Sequence, residues 1–395
     1  MRRLAAKYLY TLTSPEPIVN GFVELDIDGS VIRTGVSEEP SLEEEWYDGA
    51  LVPGFVNAHC HVELSYLKGM FRKGSGMAGF IDQINALRDT TTRERKIAAI
   101  REQMNKMWDA GVSAMADISN CDDSFAIKSG HPIYTRTFLE VFGTEPEDCP
   151  AIIADVRALN AKAKSFDLDA APTPHACYTM SPELLTAASI DGLKSGFLSF
   201  HSEESPEEEE MLISGSGPMW ENRKAAGMST PPVTGEISLK YFLGRLLAAL
   251  ETPVDGNVLL VHEVCLNEYG VSIARRILAH PFIAICPRSN MFIHNALPPI
   301  GLMRESGIPI CVGTDSLSSN DSLDMVSELL CLQENFSDVP LGEMLIWACR
   351  NGAEFLDKRT ILGSIEPGKR PGIVLIDGLS QDGRLTDASA SRRLV

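Results

Sequence analysis

The chain has 395 residues, with 35 Lys and Arg against 54 Asp and Glu, a formal charge of −19. Hydrophobic residues make up 44% and charged residues 23%, close to the globular average, which excludes a disordered chain and provides for a large buried core. The acidity argues against nucleic acid, whose phosphates call for Lys and Arg stripes, and against an anionic membrane surface.

No apolar run approaches the ~20 residues needed to cross a bilayer, and Lys7 and the threonines after it interrupt any signal-peptide core. The nine cysteines are scattered, odd in number and without a CxxC pair. They read as small packing residues in a reducing, cytoplasmic setting.

The first fifty residues read as strands and turns. Phe22–Asp28 alternates, Asp28-Gly29 signals a hairpin, and Val31–Val36 is a second strand. The acidic stretch Glu38–Glu45 reads as a solvated loop. After Pro53, short apolar runs alternate with helical stretches. The runs are Val52–His61, Val112–Ser119, Ile133–Phe142, Leu168–His175, Gly196–His201, Asn257–His262, Phe282–Cys286 and Ile308–Asp315. Their ends are 23–33 residues apart except at 61 to 119 and 201 to 262, which suits one helix and its loops between parallel strands. Thr92–Ala110, Asp148–Lys164 and Pro182–Ser195 are the clearest helices, the last opened by Ser181-Pro182.

Eight such units fit an α/β fold of the closed (β/α)8 TIM-barrel type. The alternative, a doubly wound sheet, lacks a GxGxxG after the first strand. Beyond residue 322 the chain is helical over Leu323–Glu334 and Leu341–Leu356, then returns to β. The expected division is a barrel over 54–362 beside a small β-sandwich domain built from both termini, 1–53 plus 363–395. Each terminal piece alone is too small for a stable core.

Five of the eight histidines, His59, His61, His175, His201 and His262, stand at the ends of strand candidates, and Asp315 ends the eighth. In such a barrel those ends open onto one face. His59 and His61 point to one side of their strand while Cys60 points into packing. Taken singly, each of these residues has an ordinary structural explanation. Together, His59, His61, His201 and Asp315 compose a metal shell with room for a water, as catalytic zinc sites have. His262 is placed to hold that water or an oxyanion. Glu204, three residues past His201, is placed to shuttle protons. The acids Glu207–Glu210 read as a solvated helix N-terminus, where negative charge suits the dipole.

These residues resemble the amidohydrolase superfamily. PGFVNAHCH is similar to its first-strand signature, and CPRSN with VGTDSLSSNDSLDM to its seventh and eighth. GSIEPGKRPGIVLID is similar to its closing β segment, with Pro371-Gly372 in place of the usual Ala-Asp. PTPHACYT carries no lysine at the fourth strand, so the resemblance is to the one-metal deaminases rather than to relatives with a bridging carboxylated lysine. It implies ligands His59, His61, His201 and Asp315 for one divalent ion, zinc, with iron or manganese as alternatives. It implies Glu204, His262 and Asp315 as the catalytic groups and His175 as a substrate contact. Ser319 and Asn320 of the eighth-strand signature are further substrate-contact candidates.

Within the superfamily, NAHCHVELS, HSEESPEEE and GMAGFIDQI look most similar to aminodeoxyfutalosine deaminases of menaquinone biosynthesis, then to methylthioadenosine/S-adenosylhomocysteine deaminases. The implied reaction is hydrolytic deamination of an adenine-type nucleoside, with a small-molecule substrate, no nucleic acid or membrane partner, and a homodimer by resemblance only. Glu63 meets a ribose hydroxyl or faces solvent. Arg136 meets a substrate carboxylate or forms a structural ion pair. Residues 205–235 form a lid or a surface excursion. The alternative chemistry is an amidohydrolase or chlorohydrolase acting on a cyclic amide, a guanine-like or a triazine-like ring. A barrel that has lost catalysis is the third reading, against which the complete ligand set stands.

Overall fold

The computed structural model describes residues 1–37 and 44–395. Of the acidic stretch Glu38–Glu45, residues 38–43 lie outside the described residues. Glu45 opens a strand and pairs with Arg2 at 2.9 Å. The chain begins with strands β1 (Arg2–Leu9), β2 (Ile18–Leu25), β3 (Val31–Val36) and β4 (Glu45–Pro53). Eight further strands follow: β5 (Phe55–Cys60), β6 (Val112–Ser119), β7 (Tyr134–Val141), β8 (Asp169–Pro174), β9 (Phe197–Ser202), β10 (Val254–His262), β11 (Leu278–Ile285) and β12 (Ile310–Val312). Strands β13 (Ile373–Asp377) and β14 (Ala390–Arg393) close the chain.

The two termini join in one sheet of order β14-β13-β4-β1-β2-β3, parallel only between β1 and β4. Among the described residues the expected sandwich is thus a single six-stranded layer. Its period-2 alternation has a use on both faces. Leu51, Ile373 and Leu375 pack with Leu4, Val23 and Leu25, while Val52, Val374 and Ile376 join the core shared with the barrel. The run expected as one strand from Val52 breaks at Gly54, between β4 and β5. A Cβ there would lie 1.9 Å from Ser113 Oγ and 2.5 Å from the Pro371 carbonyl, so sheet and barrel approach too closely for any other residue.

Strands β5 to β8 form one parallel four-stranded sheet and β9 to β12 another. Two bridges, Cys60 with Asp315 and Ala176 with His201, join them into a closed ring, which excludes the doubly wound alternative. Inward residues are mostly small or branched: Val56, Ala58, Ala114, Ala116, Val261 and Ala284. Phe355 closes the floor against Phe138, Phe197 and Phe282, with ring centroids 5.5–6.1 Å apart. Outward residues such as Phe55, Met115, Leu139, Phe200 and Ile283 face the helices. A register irregularity between Asn57 and Cys60 turns Cys60 outward against Met115 and leaves both flanking histidines inward.

The helices match their caps. Thr92 accepts from Arg95 N at the start of helix Arg93–Asp109, and Ser181 accepts from Leu184 N before Pro182–Leu193. The helix expected over Leu341–Leu356 is interrupted by a π-helical stretch, Ile346–Asn351. No helix among the described residues is long and apolar enough to cross a membrane. All nine cysteines are free thiols.

Candidate active site

The ends of β5, β9, β10 and β12 bring the histidines and Asp315 to one point of the rim. His59 Nε2 and His61 Nε2 are 3.1 Å apart. Asp315 Oδ1 lies 3.5 Å from His61 Nε2 and 3.9 Å from His59 Nε2. One ring nitrogen each from His59, His61 and His201 falls within a mutual 4.8 Å. Burial holds all three imidazoles below their ordinary range, most strongly His59 and His201, so each keeps a free lone pair at neutral pH. Burial alone would raise Asp315, but the imidazoles of His61, His262 and His59 and the Ser289 hydroxyl outweigh it and set it at about 2. Converging neutral nitrogens beside an ionised carboxylate are the donor set of a divalent cation, and the residues present fit one.

The backbone is built for this convergence. His59 carbonyl oxygen accepts from Thr314 N and Asp315 N, both at 3.0 Å. Gly313 permits the approach, since a Cβ there would lie 2.7–2.9 Å from His59 backbone atoms. Asp315 has φ +53°, and His262, next to inward Val261, has φ +79° and so leaves the strand parity that would point it outward. Ser289 Oγ (2.6 Å) and Ser319 Oγ (2.9 Å) donate to Asp315 Oδ2, leaving Oδ1 toward the histidines.

Glu204 and His262 face each other across the opening, with Oε1 3.5 Å from Nε2. Asn290 Nδ2 donates to His262 Nδ1 at 3.2 Å, which places the ring proton on Nε2. Tyr178 hydroxyl donates to Glu204 Oε2 at 3.3 Å. Burial first, then the charges of Asp315 and Glu208, push Glu204 well above the usual carboxylate range. Burial also lowers His262 to about 4. The arrangement therefore pairs an ionised carboxylate, Asp315, with a proton-holding one, Glu204, the separation of roles that acid–base chemistry uses.

The other expected contacts fall in different places. His175 stacks on His201 with centroids 4.6 Å apart, and its Nδ1 is engaged by Thr179 Oγ1 at 2.8 Å. Glu63 is buried rather than solvent-facing. Both its oxygens accept from Asn120 N, at 2.9 and 3.0 Å, and burial raises it to about 7. Ser319 supports Asp315, and Asn320 Nδ2 donates to Thr314 O (2.9 Å) and Glu328 Oε1 (2.7 Å), so these two brace the β12 loop. Arg136 is remote from the rim. Its guanidinium bonds Asp169 and Ser195 and stacks over Phe197 at 4.5 Å, near the barrel floor. The acids Glu207–Glu210 do open a helix, Pro206–Ser214, but only Glu210 is exposed. Glu207 caps helix Gly76–Leu87 through Met77 N and Ala78 N, and fully buried Glu208 accepts from Glu204 N at 2.9 Å.

Sequence reasoning assigned no role to Ser289, Asn290, Tyr178 or Glu140. The first three lie inside the quoted CPRSN and PHACYT segments, so the motif text was the available signal. Glu140, on β7, places Oε1 3.4 Å from His201 Nδ1 and carried no local signal at all.

The chain belongs to the amidohydrolase family, whose model, described as "Amidohydrolase family", matches residues 50–392. It is an enzyme of the hydrolase class, built as an amidohydrolase TIM barrel. It is 29% identical over 386 residues to a 5-methylthioadenosine/S-adenosylhomocysteine deaminase of Syntrophomonas wolfei, covering 91% of this chain and 82% of the relative. It is 28% identical over 335 residues to an aminodeoxyfutalosine deaminase of Nitratiruptor sp., covering 83% and 78%. Among solved structures, Helicobacter pylori aminofutalosine deaminase in complex with methylthio-coformycin matches with a TM-score of 0.80, 22% identity and full coverage of both chains.

Proposed function

We propose that this chain hydrolytically deaminates an adenine-type nucleoside and releases ammonia, in the manner of the deaminases it is similar to. The observation that carries the reading is Glu204, a proton-holding carboxyl fixed between Tyr178 and His262 beside the histidine cluster. An amidine ring carbon becomes electrophilic only when the adjacent ring nitrogen is protonated, and Glu204 is the group that holds that proton.

His59, His61, His201 and Asp315 would hold one divalent ion, zinc by the donor set, with iron or manganese as alternatives. When bound, such an ion supplies Lewis acidity and lowers the pKa of a coordinated water from 15.7 toward about 7. Asp315 Oδ1 accepts the proton of the attacking water. His262 Nε2–H, fixed in its tautomer by Asn290, donates to the incoming oxygen. Glu204 delivers its proton to the ring nitrogen, and ammonia leaves on a second proton transfer. His175, stacked on His201, borders the base pocket. We divide the chain into the barrel, 54–362, which bears these groups, and a composite β domain, 1–53 plus 363–395.

The test is ammonia release by the metal-loaded protein from adenosine, methylthioadenosine, S-adenosylhomocysteine and aminodeoxyfutalosine, with guanine and a chlorotriazine as controls. Turnover of at least one adenine nucleoside is expected. Turnover of the controls alone, or of nothing with zinc, iron and manganese, overturns the proposal.

A further inference from the structure

The His201 ring has two acceptors on its Nδ1 side. The His175 carbonyl oxygen lies 3.3 Å from Nδ1 and also accepts from His201 N at 2.9 Å, while Glu140 Oε1 lies 3.4 Å from Nδ1. Two acceptors there place the ring proton on Nδ1 and leave the lone pair on Nε2. Glu140 is buried on β7 and is held from its far side. Asn120 Nδ2 donates to Glu140 Oε2 at 3.2 Å and to the Glu140 carbonyl at 3.0 Å, and Asn120 N is itself taken by both oxygens of Glu63. Among the described residues no hydrogen bond satisfies Glu140 Oε1, and His201 Nδ1 is the one basic nitrogen within 4.0 Å of it. A buried acceptor with no donor is costly, so the contact with the His201 ring is what this oxygen is there to make.

A different use for the same groups is a second ion, since donor atoms of Glu140, His175 and His201 fall within a mutual 4.8 Å. The ring geometry speaks against it. Imidazole lone pairs lie in the ring plane, and the His175 and His201 planes are only 30° apart in a stack at 4.6 Å. By contrast His59 crosses His61 at 79° and His201 at 83°, which lets their lone pairs converge. His175 Nδ1 is moreover engaged by Thr179 Oγ1 at 2.8 Å.

We infer that Glu140 is a positioning residue of the metal centre: it accepts from His201 Nδ1–H and so fixes the ring with Nε2 free for the ion, while Asn120 fixes Glu140 in turn. The inference rests on the reading above, in which His201 is a ligand. A partner on the outer nitrogen sets the tautomer and orientation of a ligating histidine and raises its basicity. Oε1 is an acceptor in either protonation state of the carboxyl, so the role does not depend on the charge of Glu140. Glu140→Gln leaves one oxygen for two donors, Asn120 Nδ2 and His201 Nδ1–H, so one of them meets an NH2 group.

The experiment measures zinc affinity of the metal-stripped full chain by competition with a chromophoric chelator, the visible absorption of the cobalt-loaded chain, and the unfolding midpoint without metal. Glu140→Gln should weaken zinc binding about 10- to 100-fold and shift the cobalt bands, with the metal-free midpoint unchanged. Asn120→Ala releases Oε2 and should weaken binding by a smaller factor; it carries the test if the glutamine variant does not fold. Equal affinities with equal cobalt spectra overturn the inference. So does weaker binding that comes with a lower metal-free midpoint and an unchanged cobalt spectrum, the mark of a merely structural role. Two ions per wild-type chain, one of them lost in Glu140→Gln, would make the trio an ion site and overturn it as well. A wild-type chain that binds neither zinc nor cobalt overturns instead the metal reading beneath it.

Discussion

Replacing Glu204 by Gln isolates the proton from the shape. The amide keeps the size of the carboxyl and an acceptor for Tyr178 hydroxyl, 3.3 Å away, but cannot deliver a proton to a ring nitrogen and be recharged by solvent. Positioned acid–base groups contribute about 10²–10⁴ in rate, or roughly 3–5.5 kcal/mol of barrier. Glu204 is buried, so bulk water cannot substitute for it, and the upper half of that range is expected. A loss of about 10³- to 10⁴-fold in kcat should therefore accompany a KM within about threefold of wild type. Tyr178→Phe removes one neutral hydrogen bond to the same carboxyl, worth about 1 kcal/mol, and should cost only about fivefold. Ammonia release under saturating substrate measures both. A Glu204→Gln protein retaining more than a tenth of wild-type kcat would falsify the assignment of Glu204 as the acid.

Lys128→Met leaves Asp117, itself fully buried and 2.5 Å from Lys128 Nζ, as an unpaired charge behind Cys60. Breaking such a pair costs about 3–5 kcal/mol in urea unfolding, and a loss under 1 kcal/mol would sink the argument. Gly54→Ala drives a Cβ to 1.9 Å from Ser113 Oγ at the junction of sheet and barrel, and should cost about 1–3 kcal/mol or more; unchanged unfolding would contradict it. Glu328 is raised by burial from 4.5 to about 8. The folded chain binds that proton more tightly than the unfolded chain, so its stabilisation is full below about pH 4.5 and is lost as pH rises through about 8. Glu328→Gln should flatten the fall in stability between about pH 4.5 and 8 by about 1.4 kcal/mol per pH unit, and parallel curves for the two proteins would refute this. Chelation of the metal should speed hydrogen exchange of the Thr314, Asp315 and His201 amides, which bond across the barrel seams; equal exchange with and without metal would show the seams to be independent of it.

The barrel and the histidine cluster were legible because each rests on a local rule. Parallel strands buried on both faces read as apolar runs, and the clustered histidines stand where those runs end. Arg136 shows where the rule stops. It shares strand parity with Phe138 and Glu140 on β7, so all three turn inward, yet only Glu140 reaches the rim. Four residues at ~3.3 Å each put Arg136 about 13 Å lower, at the floor. Parity is written in the sequence, whereas depth is set by stagger against neighbouring strands. The solvated readings of Glu63, Glu207 and Glu208 failed for a related reason. A carboxylate in a polar run reads as solvated, and only tertiary packing reveals the backbone N–H groups of Asn120, Met77, Ala78 and Glu204 that these carboxylates receive.

The seams explain why the site lies where it does. The ladders run without a break within β5–β8 and within β9–β12, and the two half-barrels meet through the bridges Cys60 with Asp315 and Ala176 with His201. His59 and His61 belong to one half, His201 and Asp315 to the other. The cluster therefore spans both joints, and its four side chains converge only when the ring is closed. An ion held by all four would bind each half to the other, so its binding energy would count toward closure. The strand ends that must bend to permit this, at Glu203, His262, Glu263 and Asp315, all carry positive φ without being glycine. Such conformations cost of order 1–3 kcal/mol each, and they fall on the side chains proposed for catalysis or next to them. The backbone strain of the rim is spent on aiming those groups, and the rest of the barrel supplies the rigidity that holds it.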